Sequence, residues 1–412
     1  MSDEAALLAA IYANHDEDTP RLVYADWLDE HGQPERAEFI RLQVELDNCD
    51  DHASSEYQRL NDRAALLQSQ HYREWLAHLS EFDEARLEGR IAVGFVRGFP
   101  ESLSFSDALD DDFAILRNLP HLRSLDIEGV LPSPEPLHDI ARLTQLDKLT
   151  TDNAGIDGGL LYHLEPLPCW THVDLLEDGL DQNAWRAFQE RRISKVALLA
   201  PEQQREAAIR YVRGLQRNNA VRPGGLVKSV SLIQEFVTDG ELRLLSYLPE
   251  LEEIEISEGR ETAAGLEHLS KLPNLKRIYL WRGNAESLVP LMKCETLETI
   301  EYYGSAWAQL SDEGVLGLER LKNLQYLTLE SHSGLRDKTL QSIGKLSELR
   351  TLNIDLGKLD DENSLLALLN LSQLESLTLN GREYKGDQLQ QFRNAIVRVA
   401  EVAEKPTYGF LE

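Results

Sequence analysis

The sequence predicts an α/β fold in which short parallel strands alternate with helical segments, preceded by a small all-α module. Three observations lead to this prediction. An apolar frame recurs at intervals of about 24 residues, a helix-like stretch follows most of its copies, and the residues before about 85 have helical periodicity. So short a unit cannot bury its apolar face alone. Consecutive units are therefore expected to stack into a curved solenoid, with strands on the concave face and helices on the convex face.

The repeated frame has the form L-x-x-L-x-x-L-x-L, as in LPHLRSLDI, LPELEEIEI and LKNLQYLTL. The end of each copy alternates apolar and polar residues, which is typical of a strand with one buried face. The third apolar anchor of successive copies falls at Leu103, Leu125, Leu149, Val173, Val196, Val230, Ile254, Ile278, Ile300, Leu327, Leu352 and Leu377. The frame resembles the leucine-rich repeat over residues 100–380, and this resemblance implies a solenoid.

The chain departs from the usual leucine-rich-repeat pattern at the turn after each strand. The positions where the family places Asn or Cys hold other residues, among them Val130, Gly259 and His332, so the turns must satisfy their backbone groups in another way. Aspartates occur at or near the starts of the helix-like stretches, where a carboxylate can accept hydrogen bonds from unpaired N–H groups. They are Asp157, Asp181, Asp239, Asp312, Asp337 and Asp361.

The N-terminal stretch RLVYADWLDEHGQPERAEFIRLQ, residues 21–43, predicts a helical hairpin. Thr19-Pro20 is suited to a helix start and Gly32 to a helix end, and Tyr24 and Trp27 are expected to pack in the interior between the two helices. The stretch has one histidine, no adjacent nucleophile and no metal-ligand spacing, so it does not indicate an active site. It closely resembles the repeat-companion domain at the N-termini of planctomycete repeat proteins, over residues 3–46. That resemblance implies a downstream leucine-rich-repeat array and no established activity.

These patterns divide the chain into four parts. Residues 1–48 are expected to form the helical module that resembles the repeat-companion domain, and residues 49–85 a helical connector that caps the first repeat. Residues 86–385 are expected to form the solenoid, and residues 386–412 a C-terminal capping helix and tail. The anchors Val196 and Val230 are 34 residues apart, so an insertion is expected at about 200–228, protruding as a helix and a loop.

Composition limits the classes of partner. The net charge of −29 argues against binding to DNA, RNA or an anionic membrane, and it permits a protein partner with a basic surface. The three cysteines are far apart and the histidines are scattered, so neither a disulfide framework nor a metal site is indicated, and no cofactor motif occurs. The acidic N-terminus does not resemble a secretion signal, and a cytoplasmic protein is expected.

The strands also predict a candidate binding surface. Residues between the apolar anchors should point outward, onto the concave face, where aromatic and acidic residues gather on neighbouring strands. The candidate partner-binding residues are Tyr279, Trp281, Glu301, Tyr303, Tyr326 and Glu330. An exposed aromatic cluster bordered by carboxylates is typical of an interface for a partner with basic and apolar groups. The alternative interpretation is that the aromatic residues only brace one another across the strands.

A second candidate is a basic patch in the predicted insertion, formed by Arg205, Arg210, Arg213, Arg217 and Arg222. It could bind an acidic or phosphate-bearing partner, or its arginines could pair with the protein's own acidic surface.

The leading function hypothesis is a non-enzymatic protein-interaction module or scaffold that binds a partner on the concave face. The alternative is a regulator of a partner enzyme, of the GTPase-activating type, that supplies an arginine such as Arg282 or Arg222. A structural scaffold without a discrete site is the third possibility.

Overall fold

A computed structural model describes most of the chain as two compact units, Met1–Val227 and Lys228–Glu412. The described residues are 2–15, 17–49, 51, 53–131, 133–152, 154–156, 159–176, 182–215, 221–222, 226–233, 237–257, 262–283, 287–304, 310–330 and 334–403. The domain boundaries expected near residues 48, 85 and 385 stay a prediction.

The N-terminal unit begins with helices. They are α1 (Asp3–Ala13), α2 (Asp18–Glu30), α3 (Pro34–Asp47), α4 (Ser55–Trp75) and α5 (Asp83–Leu87), with a 3₁₀ helix at Ala77–Phe82 between the last two. Ile11, Leu28 and Ile40 are buried in a shared core that also contains Phe99. Trp27 is only partly buried, because it packs against the edge of this core. Its ring stacks on that of His31, with centroids 3.9 Å apart. The expectation that Trp27 lies in the interior is therefore corrected.

The sheet of the N-terminal unit has five strands in sequential order. They are β1 (Ile91–Val96), β2 (Phe99–Ser106), β3 (Ser124–Glu128), β4 (Lys148–Asp152) and β5 (His172–Leu176). Strands β2 to β5 are parallel, whereas β1 is antiparallel to β2. Arg97 and Gly98 join β1 to β2 with φ of 45° and 88°, as a tight hairpin turn requires. The Tyr72 hydroxyl contacts both the N–H and the C=O of Val93, so α4 satisfies part of the free edge of β1.

Helical segments connect these strands. They are a 3₁₀ helix at Asp110–Asn118, α6 (Glu135–Ile140), a 3₁₀ helix at Leu161–Leu164, α7 (Gln182–Ile193), a 3₁₀ helix at Ser194–Leu198 and α8 (Pro201–Gly214), and a short hairpin of β6 (Val221–Arg222) and β7 (Leu226–Val227) follows. Val196, expected as a strand anchor, is buried in the 3₁₀ helix, so that strand prediction is wrong. Helix α8 buries Ala207, Ala208, Tyr211 and Val212 and packs on β4 and β5. The expectation that it protrudes is wrong as well, because its apolar face is covered.

The C-terminal unit contains an eight-stranded sheet in sequential order. Its strands are β8 (Ser229–Ile233), β9 (Glu253–Ser257), β10 (Arg277–Gly283), β11 (Thr299–Gly304), β12 (Tyr326–Glu330), β13 (Thr351–Ile354), β14 (Ser376–Leu379) and β15 (Arg382–Lys385). All pairs are parallel except β14–β15, which an Asn380-Gly381 turn joins with φ of 50° and 75°. Its helices are α9 (Asp239–Leu245), α10 (Ala263–Leu269), α11 (Asp337–Ile343) and α12 (Asp387–Ala403), with 3₁₀ helices at Val289–Lys293, Glu313–Val315, Leu318–Arg320 and Glu362–Asn370.

The apolar anchors form the core between the strands and the helical segments. Leu125, Ile278, Leu327 and Leu352 are all at most 1% exposed, which confirms the register predicted from the frame. Consecutive helical segments of the C-terminal unit pack side by side along the sheet. Both units thus have the alternation of strand and helical segment that the leucine-rich-repeat resemblance implies.

Aspartate carboxylates link neighbouring repeats where an asparagine ladder is lacking. Asp239, in the first turn of α9, accepts hydrogen bonds from the backbone N–H (2.9 Å) and the hydroxyl (2.6 Å) of Thr262, which caps α10. Asp337, in the first turn of α11, accepts backbone hydrogen bonds from Asp360 and Asp361 at 2.9 and 3.1 Å. These carboxylates bind N–H groups at the helical start of the next repeat rather than only their own.

Candidate interaction surface

The predicted surface lies on strands β9 to β13 of the C-terminal unit. Along β9 and β10, buried apolar residues alternate with partly exposed ones, so the partly exposed side chains share the face of the sheet away from the apolar core. In register, Trp281 pairs with Tyr303 and Tyr303 pairs with Glu330. Tyr279 pairs with Glu301 in the same way. The sequence therefore predicted correctly which of these residues are neighbours.

Trp281 and Tyr303 form a stacked aromatic pair. Their ring centroids are 4.4 Å apart and their planes differ by 6°, and each side chain is partly exposed. Parallel strands lie about 4.8 Å apart, so two rings that project from paired positions meet face to face. The strand β10 then bulges between Trp281 and Gly283, and the exposed Arg282 adopts a φ of 53°. We call Trp281 and Tyr303 the aromatic pair.

Glu301 lies next to this pair, two residues before Tyr303 on the same strand. The Tyr303 hydroxyl donates a hydrogen bond of 3.4 Å to Glu301 Oε2. Partial burial raises the pKa of Glu301, although the tyrosine hydrogen bond acts in the opposite direction. Partial burial and the negative charge of Glu301 also raise the pKa of Tyr303. The Glu301 carboxylate is therefore poorly solvated in its charged form, and a cation placed nearby would stabilise it.

Glu330 and Tyr326 complete the predicted set on β12. Glu330 Oε1 accepts a hydrogen bond of 2.5 Å from the side-chain amide of Asn353. In the described part of the chain, neither Glu330 nor Glu301 forms an ion pair. By contrast, Glu253 at the β9 end binds Arg277 at 2.5 Å. Tyr326 is 45% exposed and lies at the other end of the strand from Glu330.

Tyr279 lies between the aromatic pair and Arg277 on β10. Burial raises its pKa, and the charges of Glu253 and Glu301 act in the same direction. Five of the six predicted residues therefore form one continuous group on three adjacent strands, in which three aromatic residues and Glu301 lie side by side. Tyr326 lies apart from them, paired with Thr299 and separated from Glu330 by the buried Thr328.

The predicted basic patch in the N-terminal unit is not assembled as expected. Arg210 is only 6% exposed, and its Nε donates to Asp147 Oδ1 at 2.8 Å. Arg123 binds the other oxygen of Asp147, with Nε at 2.6 Å, so Arg210 belongs to a buried ion cluster rather than an exposed patch. No local pattern in the sequence signals this cluster, because Arg210 and Asp147 are 63 residues apart.

The other basic candidates have different surroundings. Arg205 and Arg213 lie on α8, are partly exposed, and each already interacts with another group. Arg217 and the side chain of Arg222 lie outside the described part of the chain. Arg282, the other arginine considered for a catalytic role, is exposed next to the aromatic pair and also interacts with another group. The basic patch therefore stays a prediction for the remaining arginines.

The described residues contain no group of three or more His, Cys, Asp or Glu side chains that could hold a metal ion. Within the same residues, no helix combines the length and the apolar character needed to cross a membrane.

No family model matches the chain, and no curated protein matches it. Among solved structures, an internalin (inlF) from Listeria monocytogenes str. 4b F2365 is 17% identical, over 68% of this chain and 74% of its own, with a TM-score of 0.30. TLR13 in its complex with ssRNA13 is 16% identical over 65% of this chain and 37% of its own, with a TM-score of 0.34. The LRR ectodomain of the Arabidopsis receptor kinase HAESA, in complex with an N-terminally extended IDA peptide hormone, is 16% identical over 65% of this chain and 31% of its own, with a TM-score of 0.29. At these values the likenesses say nothing about function.

Proposed function

We propose that the chain is a non-enzymatic protein-interaction module that binds a partner on the outward face of strands β9 to β13. The observation that supports this most directly is the aromatic pair next to Glu301 and Glu330, two carboxylates without an ion pair among the described residues. The proposal places this surface on the concave face of a leucine-rich-repeat solenoid. The helical N-terminal segment is, in the same proposal, a repeat-companion module.

The chemistry of the surface indicates the partner. Aromatic residues at the centre of an interface contribute much of its binding energy because they bury large areas with few rotatable bonds. A lysine or arginine of the partner can contact the exposed faces or edges of the aromatic rings and form an ion pair with Glu301. Partial burial destabilises the charged form of Glu301, so such an ion pair would stabilise it. The partner is therefore a protein segment that carries basic and apolar side chains. Exclusion of nucleic acids and membranes rests on the net charge of −29 alone.

The competing interpretation is that the aromatic pair only braces β10 against β11. Such a cross-strand pair contributes about 0.2–1 kcal/mol to stability and needs no ligand. Measuring both partner binding and the free energy of unfolding after removal of the two rings distinguishes these interpretations. If the pair is an interface, removing both rings abolishes binding and costs little stability, whereas a purely structural pair shows only the stability effect.

The experiment is comparative affinity capture from nuclease-treated extract of the native cell, with the full chain as bait. Variants are the double change Trp281→Ala and Tyr303→Ala, the single change Glu301→Gln, and Tyr162→Ala as a control. Tyr162 is 60% exposed and belongs to the N-terminal unit. We expect the double variant to lose the proteins that the unmodified chain retains, with roughly a 30-fold or greater loss of affinity, and the control to retain them. Retention by the double variant would overturn the proposal.

A further inference from the structure

A cavity of about 380 Å³ lies in the N-terminal unit, between the first helices and the beginning of the sheet. Its lining includes Leu8 and Tyr12 of α1, Tyr24 of α2, Arg36 of α3 and Trp75 of α4, together with Phe99 of β2. The cavity is large enough for a small organic molecule of about two fused rings. It lies in the other compact unit from the surface proposed above, and it does not depend on that proposal.

Arg36 provides the positive charge in this cavity, and its guanidinium is enclosed by aromatic rings. Its Cζ lies 4.7 Å from the ring centre of Trp75, 5.2 Å from that of Phe95, 5.6 Å from that of Phe39 and 5.9 Å from that of Phe99. Aromatic faces stabilise a cation, but they do not replace a counter-ion. Burial separates this guanidinium from water and lowers the pKa of Arg36 to about 10.

The hydrogen bonds of Arg36 are incomplete. Its Nη2 donates to the backbone carbonyl oxygen of Gly98. Its Nη1 is buried and has no hydrogen-bond partner among the described residues, and no carboxylate there lies within ion-pair distance. Arg21, which is also buried on the neighbouring helix, is instead paired with Glu101 at 3.1 Å. Although the chain has 71 acidic residues, the Arg36 guanidinium therefore has no acidic partner in the described part of the chain.

The remaining walls restrict what can bind beside this charge. The ring of Tyr12 stacks on His121, with centroids 3.6 Å apart and planes 11° apart, so the cavity has a flat aromatic wall. The Tyr24 hydroxyl donates to Glu4 Oε1 at 3.1 Å, which places a carboxylate in the lining too. Glu74 adds a second carboxylate to the lining. Two carboxylates beside a single guanidinium disfavour a dianion such as a phosphate monoester more strongly than a ligand with a single negative charge.

We propose that this cavity binds a small aromatic carboxylate, whose carboxylate pairs with the Arg36 guanidinium while its ring packs between Trp75, Phe99 and the Tyr12 ring. The planar carboxylate matches the planar guanidinium. Nη1 has no partner among the described residues but is buried, so a shift of the surrounding side chains accompanies its pairing with the ligand. The ligand would thereby contact both the N-terminal helices and the first parallel strand.

The test uses the full chain and isothermal titration calorimetry with three related probes: 2-naphthoate, 2-naphthamide and 2-naphthyl phosphate. We expect 2-naphthoate to bind at one site and the neutral amide to bind at least roughly 10-fold more weakly, since a charge-assisted pair is lost. The phosphate is expected to bind more weakly than the carboxylate. Equal binding of acid and amide, tighter binding of the phosphate, or no binding of 2-naphthoate would each overturn the proposal.

Two variants and a matched control locate the binding site. Leu8→Trp fills the cavity without altering the charge and should abolish 2-naphthoate binding. Arg36→Gln should do the same, and if it fails to fold, the Leu8 variant and the probe comparison still decide the question. Arg41→Gln removes an arginine from the same helix that is bound to Asp26 and Asp29 at the surface, both at 2.7 Å, and should leave binding unchanged. Binding that persists in Leu8→Trp contradicts the proposal.

Discussion

The carboxylate of Asp312 accepts four hydrogen bonds from Thr339 and its neighbours in the next repeat. Asp312 Oδ1 accepts from the Thr339 hydroxyl at 2.5 Å, the Arg336 N–H at 2.7 Å and the Thr339 N–H at 3.3 Å, and Oδ2 accepts from the Lys338 N–H at 3.2 Å. Asp239, Asp312 and Asp337 thus each accept hydrogen bonds from groups at the helical start of the following repeat. A carboxylate accepts more hydrogen bonds than one amide oxygen, so it can cap several groups at a helix start.

Asp312→Ala should destabilise the C-terminal unit, because it leaves these backbone N–H groups without their acceptor. We expect the free energy of unfolding to fall by roughly 1–3 kcal/mol in urea titration. Glu313→Ala is the matched control, since Glu313 pairs with the exposed Lys338 at 3.1 Å and should change stability less than Asp312→Ala does. Equal effects of the two changes would contradict the assigned role of Asp312.

Stability should fall in acid partly through Asp337. Hydrogen bonds from the Ser364 hydroxyl and from the backbone of Asp360 and Asp361 lower the pKa of Asp337. The stability that ionised Asp337 contributes is therefore fully present above about pH 3.9, the pKa of an aspartate in the unfolded chain. It is lost as the pH falls through the lower pKa that Asp337 has in the folded chain. The stability difference between the unmodified chain and Asp337→Asn should be larger at about pH 6 than at about pH 3. The exposed control Glu348→Gln should show a smaller pH dependence, and a constant difference for Asp337→Asn would refute the assignment.

Asp147 should be among the residues of the N-terminal unit most sensitive to substitution. Asp147→Asn leaves the buried Arg123 and Arg210 without their shared counter-ion, and such losses cost roughly 3–5 kcal/mol. Asp139→Asn is the control, because Asp139 pairs with Arg117 and Arg142, whose side chains are 68% and 77% exposed. It should cost less than about 1 kcal/mol. Denaturant titration measures both, and a mild effect at Asp147 would contradict the buried cluster.

Trp27 and Phe39 should differ in their effect on stability. Phe39 is 0% exposed and packs against Trp75 and Phe95, so Phe39→Ala should cost roughly 3–5 kcal/mol. Trp27→Ala should cost less, because the Trp27 ring is only partly buried. Denaturant titration of both variants measures the loss in free energy of unfolding. A larger loss for Trp27→Ala would show that the stack of Trp27 on His31 contributes more to stability than the buried Phe39 ring.

The sequence was sufficient to predict the strands and the register of the surface, because burial alternates residue by residue along each strand. Ile278 and Leu327 are buried as the frame requires, and the aromatic pair follows from the same register. The frame failed at Val196, where VALL lacks the polar alternation of a strand and a 3₁₀ helix forms instead. The repeated frame could not predict long-range ion pairs such as Asp147 with Arg210. Apolar periodicity indicates which face of a strand or helix is buried, but not which charged side chains meet there.

Arg36 shows the same limit for a site. In the sequence it is one of several charged residues in the stretch 21–43, and nothing in its neighbours distinguishes it from the partly exposed Arg41. Only the packing of Trp75, Phe95 and Phe99 around it, from three other elements, encloses its guanidinium.

Site-specific photocrosslinking tests most directly whether the outward face of β9 to β13 contacts the partner. Tyr326 is 45% exposed and lies on β12, next to strand β11 of the aromatic pair. A benzoylphenylalanine in its place should crosslink to the captured protein. The same photoreactive residue at Tyr162, 60% exposed in the N-terminal unit, should not. Crosslinks from position 326 alone are the predicted result. Crosslinks from position 162 alone, or from neither position while capture persists, would contradict an interaction surface on these strands.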